Sequence, residues 1–144
     1  MQIPETPVRV SDLDLMERLA KYANGSASWN PDVIVGPDGK NACQALYANV
    51  ISLVDKVLAP ILDRVNAREM DVFTMHDRKH GLKVAHLMWH ILEPNRREQL
   101  TPPEIALLVL SAHFHDVGMA LSRKERNERL GASSDLWEKL ELQP

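Results

Sequence analysis

The stretch that most constrains this chain begins at Thr101. Thr101-Pro102-Pro103-Glu104 places a hydroxyl residue at an N-cap, proline at the first helical position and a glutamate three residues after the cap. That combination specifies a helix start through a capping box. Ile105 to Ala112 then reads as apolar on nearly every side, which predicts a helix at the centre of its domain. The end of that helix delivers His113, His115 and Asp116 before Gly118 breaks it.

A second helical pattern supplies a partner. Thr74 and Asp77 suggest a start, and His80, Val84, Leu87, Met88, Ile91 and Leu92 recur on one face until Pro94 ends it, which puts His80 on the buried face. Two such helices folded together would bring His80 against His115 and Asp116. Imidazole nitrogen with carboxylate oxygen suits Zn, Mn, Fe or Ni, and with no thiolate in reach nothing asks for a softer ion. Against this stands chance: six histidines in 144 residues give close pairs readily. A lone histidine on an apolar face is more often a hydrogen-bonded core residue, so the motif by itself is a hypothesis.

The rest of the chain reads as frame. Residues 1 to 10 hold Pro4 and Pro7 with no period, an irregular arm. Ser11 reads as an N-cap for a helix marked by Leu13, Met16, Leu19, Ala20 and Ala23 and stopped by Asn24-Gly25. Residues 26–40 carry Asn30-Pro31 and Pro37-Asp38-Gly39 and predict a loop or one short strand. Asn41 reads as the cap of a long helix with a broad apolar stripe from Ala42 to Val65, in which Pro60 predicts a kink or a fresh start. Residues 67–74 form a polar break, "NRREQL" a charged connector, and Ser122 and Ser134 open two further short helices. The whole predicts an all-α bundle of about five to seven helices in one domain, 1–144, with its motif-bearing core at 68–130.

Composition limits the setting. A net charge of −3 argues against blanket phosphate neutralisation, and nothing supports a nucleic-acid partner. Cys43 is the one cysteine, which excludes an internal disulfide framework. With no apolar signal segment after Met1, a cytoplasmic location is expected. "IALLVL" at 105–110 is the longest strongly apolar run, about a third of the ~20 residues of a membrane span, so no membrane partner is expected.

The text "HGLKVAHL" followed by an apolar helix ending in "HFHDVGM" resembles the HD superfamily of metal-dependent phosphohydrolases over about residues 72–125. That resemblance implies an all-helical fold and a divalent ion (Mn, Fe, Ni, Zn or Mg), with His80 at the first ligand position and His115 and Asp116 as the His-Asp doublet. It implies catalysis by the same three residues on a nucleotide or other phosphate ester, Asp116 anchoring the ion. "FTMHDRKH" and "HDVGMALSRKE" are similar to the HD variant joined to Hsp90-like ATPase modules. One departure stands out. The family's last aspartate comes well downstream, and the only aspartate after Asp116 is Asp135, a poor candidate so near the C-terminus. The chain would then be an N-terminal piece, or a further domain or partner chain would complete the site, or the domain would be a catalytically incomplete regulatory or scaffolding module.

The other polar residues take lesser roles. Arg78, Lys79 and Lys83 flank His80 and are expected to hold phosphate, against the ordinary reading of solvated helix faces, while Arg123, Lys124 and Arg126 have a weaker claim. His76 and His113 are expected as accessory groups around the ligands, and His86 and His90 as helix-surface or packing residues. "HDRKH" is not read as a zinc-protease helix, because Asp77 is one methylene shorter than the glutamate base and a third ligand is missing. His76 and His90 would lie about 21 Å apart along one helix at ~1.5 Å per residue and cannot share an ion. Cys43 has no neighbouring base and reads as a small helix residue. Trp29, Trp89 and Trp137 read as packing groups.

Overall fold

Local hydrogen-bonding chemistry sets two helix ends clearly, the start at Thr101 and the stop at Asn24. The computed structural model of the chain describes residues 5–29, 39–68 and 78–117, and among them every regular element is helical. These are α1 (Asp14–Ala23), α2 (Gly39–Leu53), α3 (Ala59–Arg68), α4 (Arg78–Ile91), α5 (Pro94–Gln99) and α6 (Pro102–Phe114). Thr101 and Glu104 form the expected capping box, with Glu104 Oε2 accepting from the Thr101 backbone N–H at 2.8 Å and from its hydroxyl at 2.7 Å. Those two bonds hold the Glu104 carboxyl below its ordinary pKa. Gly25, at φ +82°, takes the left-handed conformation that ends α1.

Other ends differ from the expectation. Ser11 does not cap α1; it lies in a single 3-10 turn, Val10–Asp12, and the cap position belongs to Leu13, whose side chain makes no cap bond. Asn41 does not cap α2, which has already begun at Gly39, so 39–40 are helix rather than loop. Residues 26–29 form a bend and coil, while 30–38 fall outside the described residues. The connector after Pro94 is itself a helix, because proline at its first position stops α4 and starts α5.

Pro60 leaves its mark one turn early. Between α2 and α3 the chain widens into a π-turn, Val54–Leu58, where the Ala59 N–H reaches back to the Val54 carbonyl. A proline lacks an N–H and its ring crowds the carbonyl four residues before it, and a π-turn relieves both demands without breaking the helix. By length and composition the helical stretch Gly39–Asp63 would suffice to cross a membrane, although it contains no unbroken apolar run of that length. Cys43, Val50, Val54, Leu58 and Leu62 of that stretch are buried in the protein's own core, and Asp55 and Lys56 face outward.

The core forms around α1, which packs on α2, α4 and α6. Leu13, Leu15, Met16 and Leu19 are wholly buried, joined by Ile105, Val109 and Ala112 of α6 and by Leu82 and Ala85 of α4. Polar ties orient α1 at its far side: Tyr22 donates its hydroxyl to the Leu100 carbonyl at 2.8 Å, and Arg18 donates to the Glu98 carbonyl at 2.7 Å and pairs with the Glu98 carboxylate at 3.1 Å. Helix α6 is not enclosed on all sides as its composition predicts, since Leu107 is 66% exposed.

The capping box yields a direct test. Thr101→Ala is expected to lower the unfolding free energy by about 1 kcal/mol in urea titration at neutral pH. Because the Glu104 carboxyl is held low in the fold, its share of this stabilisation is present above the ordinary value of 4.5 and is lost as pH falls through the depressed folded value. The gap between wild type and Thr101→Ala should therefore narrow in acid.

Candidate metal centre

Helices α4 and α6 pack directly on each other, and one glycine permits their closest approach. A Cβ placed on Gly81 would lie 2.6 Å from His113 Cδ2, inside the distance two carbons tolerate. The His113 ring is almost fully buried against that bare stretch of α4, and its Nδ1–H donates to the Val109 carbonyl at 2.7 Å. Burial holds its pKa below the ordinary histidine value, so it packs as a neutral ring. His113 thus positions the two helices and does not belong to the ligand cluster.

His80 immediately precedes Gly81, and His115 and Asp116 follow His113 at the end of α6, so this contact sets three donors facing one another. His80 Nε2 lies 3.3 Å from His115 Nε2 and 3.3 Å from Asp116 Oδ2, and His115 Nε2 lies 2.9 Å from the same oxygen. Two donors held ~2.1 Å from one ion at tetrahedral or octahedral angles lie about 3.0–3.4 Å apart, so the spacing suits a shared cation. The His115 Nδ1–H donates to the Ala112 carbonyl at 2.8 Å, which leaves Nε2 as the lone-pair nitrogen on the side of the cluster. A backbone partner on the far nitrogen is the arrangement that fixes a ligating imidazole's tautomer.

The three donors differ in exposure. Asp116 is buried, His80 is at the protein's edge and His115 is open, so the cluster is reached from one side. His80 does not lie on the fully buried face that the apolar spacing predicts. That face is Gly81, Leu82, Ala85 and His86, and Ile91, expected inside, is 80% exposed. Gly81 and Ala85 give the inward face two small positions beside Leu82 and His86.

Of the basic residues, Arg78 donates to Asp63 of α3 at 3.1 Å, while Lys79 and Lys83 are exposed, Lys83 one turn beyond His80. Arg78 also lines, with Val10, Asp55, Leu82 and His113, a cavity of about 190 Å³. His76, Asp135, Arg123, Lys124 and Arg126 lie outside the described residues. Cys43 is buried, and burial pushes its thiol pKa up, which suits packing and not nucleophilic attack.

Of the two roles expected for His86 and His90, helix surface or packing, His86 takes the second: it is 4% exposed and its ring meets that of His90 edge-on, centroids 4.4 Å apart. Asp14 of α1 joins them, its Oδ2 lying 3.7 Å from His90 Nε2. The i, i+4 spacing on a helix was the available signal, and the third member, on α1, could not be read from it.

Gly81→Ala is expected to destabilise the fold by about 1–3 kcal/mol, the usual cost of overpacking a tight contact. The double substitution Gly81→Ala/His113→Ala should be less destabilised than the sum of its parts in a urea-denaturation cycle, since removing the ring removes the clash.

Comparison with known proteins gives one family. Residues 70–143, just over half the chain, match the family model described as HD-CE. No curated protein and no solved structure matches the chain.

Proposed function

The chain belongs to the HD-CE family of HD-type domains, and on that premise we propose that it is a divalent-metal-dependent phosphohydrolase acting on a nucleotide or another phosphate ester. The observation that supports this most strongly is the meeting of His80 Nε2, His115 Nε2 and Asp116 Oδ2 within 3.3 Å of one another at the end of α6. Nitrogen and carboxylate donors in this number fit Mn, Fe, Ni or Zn, and three protein donors leave coordination positions for water and substrate.

What the ion supplies when bound is Lewis acidity, which makes hydroxide available near neutral pH and polarises a phosphoryl oxygen. The chain's own residues do the rest. Asp116 contributes the negative charge that offsets a dication, in a buried position where that charge acts through little solvent. His115, its tautomer set by the Ala112 carbonyl, and His80, set beside the glycine contact, hold the two nitrogen positions. Lys79 and Lys83 are the cations for a phosphate, and Arg78 can add to them from its place beside Asp63. A fourth ligand, a second carboxylate from a further domain or a partner chain, would complete the set. The likeness of "FTMHDRKH" to the variant joined to Hsp90-like ATPase modules supports a further domain in that role.

Protein loaded with Mn(II) is expected to hydrolyse bis(p-nitrophenyl) phosphate or a member of a nucleotide panel, with kcat/KM reduced about 100-fold or more in Asp116→Asn, the scale on which removal of one electrostatic group acts. Lys83→Ala should raise KM with a smaller effect on kcat. Metal-loaded protein that turns over nothing in the panel would assign the domain to a regulatory or scaffolding role instead.

A further inference from the structure

Helix α4 carries a second set of donors away from the first. His86 and His90 stand one turn apart, and α1 brings Asp14 against them, so that one donor atom from each lies within 4.8 Å of the others. Along α4 these histidines sit about 9 and 15 Å beyond His80, at ~1.5 Å per residue, too far to serve the same ion. Asp14 also lies outside the segment 70–143 that matches the family model.

The set brings an unpartnered imidazole nitrogen against a carboxylate without a hydrogen bond between them. His90 Nε2 is shielded from solvent and has no hydrogen-bond partner among the described residues. Its 3.7 Å separation from Asp14 Oδ2 exceeds the 2.7–3.2 Å of a hydrogen bond but approaches the spacing of about 3.3 Å between two donors on a tetrahedral ion. Arg97, a cation close to His90, is turned to the helix end, where its guanidinium donates to the Leu92 carbonyl at 2.9 Å and the His90 carbonyl at 3.2 Å.

We propose that Asp14, His86 and His90 form a second, independent cation site for a borderline divalent ion of the Zn(II) or Co(II) class, fastening α1 to α4. Two imidazoles and one carboxylate match that class, and the site joins the helix at the heart of the core to the helix that bears His80. Its role is structural: occupancy holds α4 in register against α1 and so steadies the first centre from behind.

Co(II) is the probe, titrated into the full chain carrying His80→Ala/Asp116→Ala, which removes the first centre. The expected result is saturation near one equivalent with visible d–d absorption, and a raised thermal midpoint. Adding Asp14→Asn or His90→Gln should abolish both, with helicity by circular dichroism unchanged. In the otherwise wild-type chain, Asp14→Asn should lower the bound Co(II) by one equivalent, which serves if the first-centre variant does not fold. No Co(II) bound by the folded background variant, or binding unchanged in both Asp14→Asn and His90→Gln, would overturn the second site. Metal held by wild type and lost in His80→Ala/Asp116→Ala with nothing remaining would leave the first centre standing and the second refuted.

Discussion

The contact of the His113 ring with Gly81 is the constraint on which the arrangement of α4 and α6 depends. Helices ordinarily pack with their axes about 8–10 Å apart because side chains intervene. Here a buried imidazole lies against a residue without a side chain, and the flanking positions, His80 on one helix and His115 with Asp116 on the other, are brought face to face as a consequence. The His113 Nδ1–H bond to Val109 fixes that ring to its own helix, so the ring acts as a rigid spacer. The site is therefore supported by the core directly beneath it, since Ala112 both packs inside and offers the carbonyl that orients His115.

What the sequence makes legible follows from how local each signal is. The capping box at Thr101 and Glu104, the stop at Asn24-Gly25 and the disturbance at Pro60 depend on hydrogen bonds spanning a few residues, and all are present. The inward face of α4 was not legible in the same way. Apolar periodicity selects Val84, Leu87 and Ile91, but the tight approach to α6 and α1 favours Gly81 and Ala85, and Ile91 is left outside. A count of hydrophobic residues weighs size, while close helix packing requires its absence. Ser11 and Asn41 show the converse limit: each is a good capping residue, yet the helix begins elsewhere because the preceding backbone already turns.

For the centre itself, the donor types and their pairing of a helix start with a helix end were readable, and the convergence of His80, His115 and Asp116 is a matter of tertiary packing that only the fold supplies. The cluster at Asp14 was hidden for the same reason, one donor lying on α1 and two on α4. Both clusters share α4, one near its first turn and one near its last, so the placement of this helix against α1 and α6 governs them together. Helix α1, with Leu15, Met16 and Leu19 wholly buried, packs on both α4 and α6 and so backs this placement.

The proposed cation centre is built by the α4–α6 contact. Crystals grown with Mn(II) and measured at the manganese edge test it most directly. The account predicts an anomalous peak about 2.1 Å from His80 Nε2, His115 Nε2 and an Asp116 carboxylate oxygen together. Well-ordered side chains at those three positions with no peak between them, at a Mn(II) concentration that supports binding in solution, would contradict it.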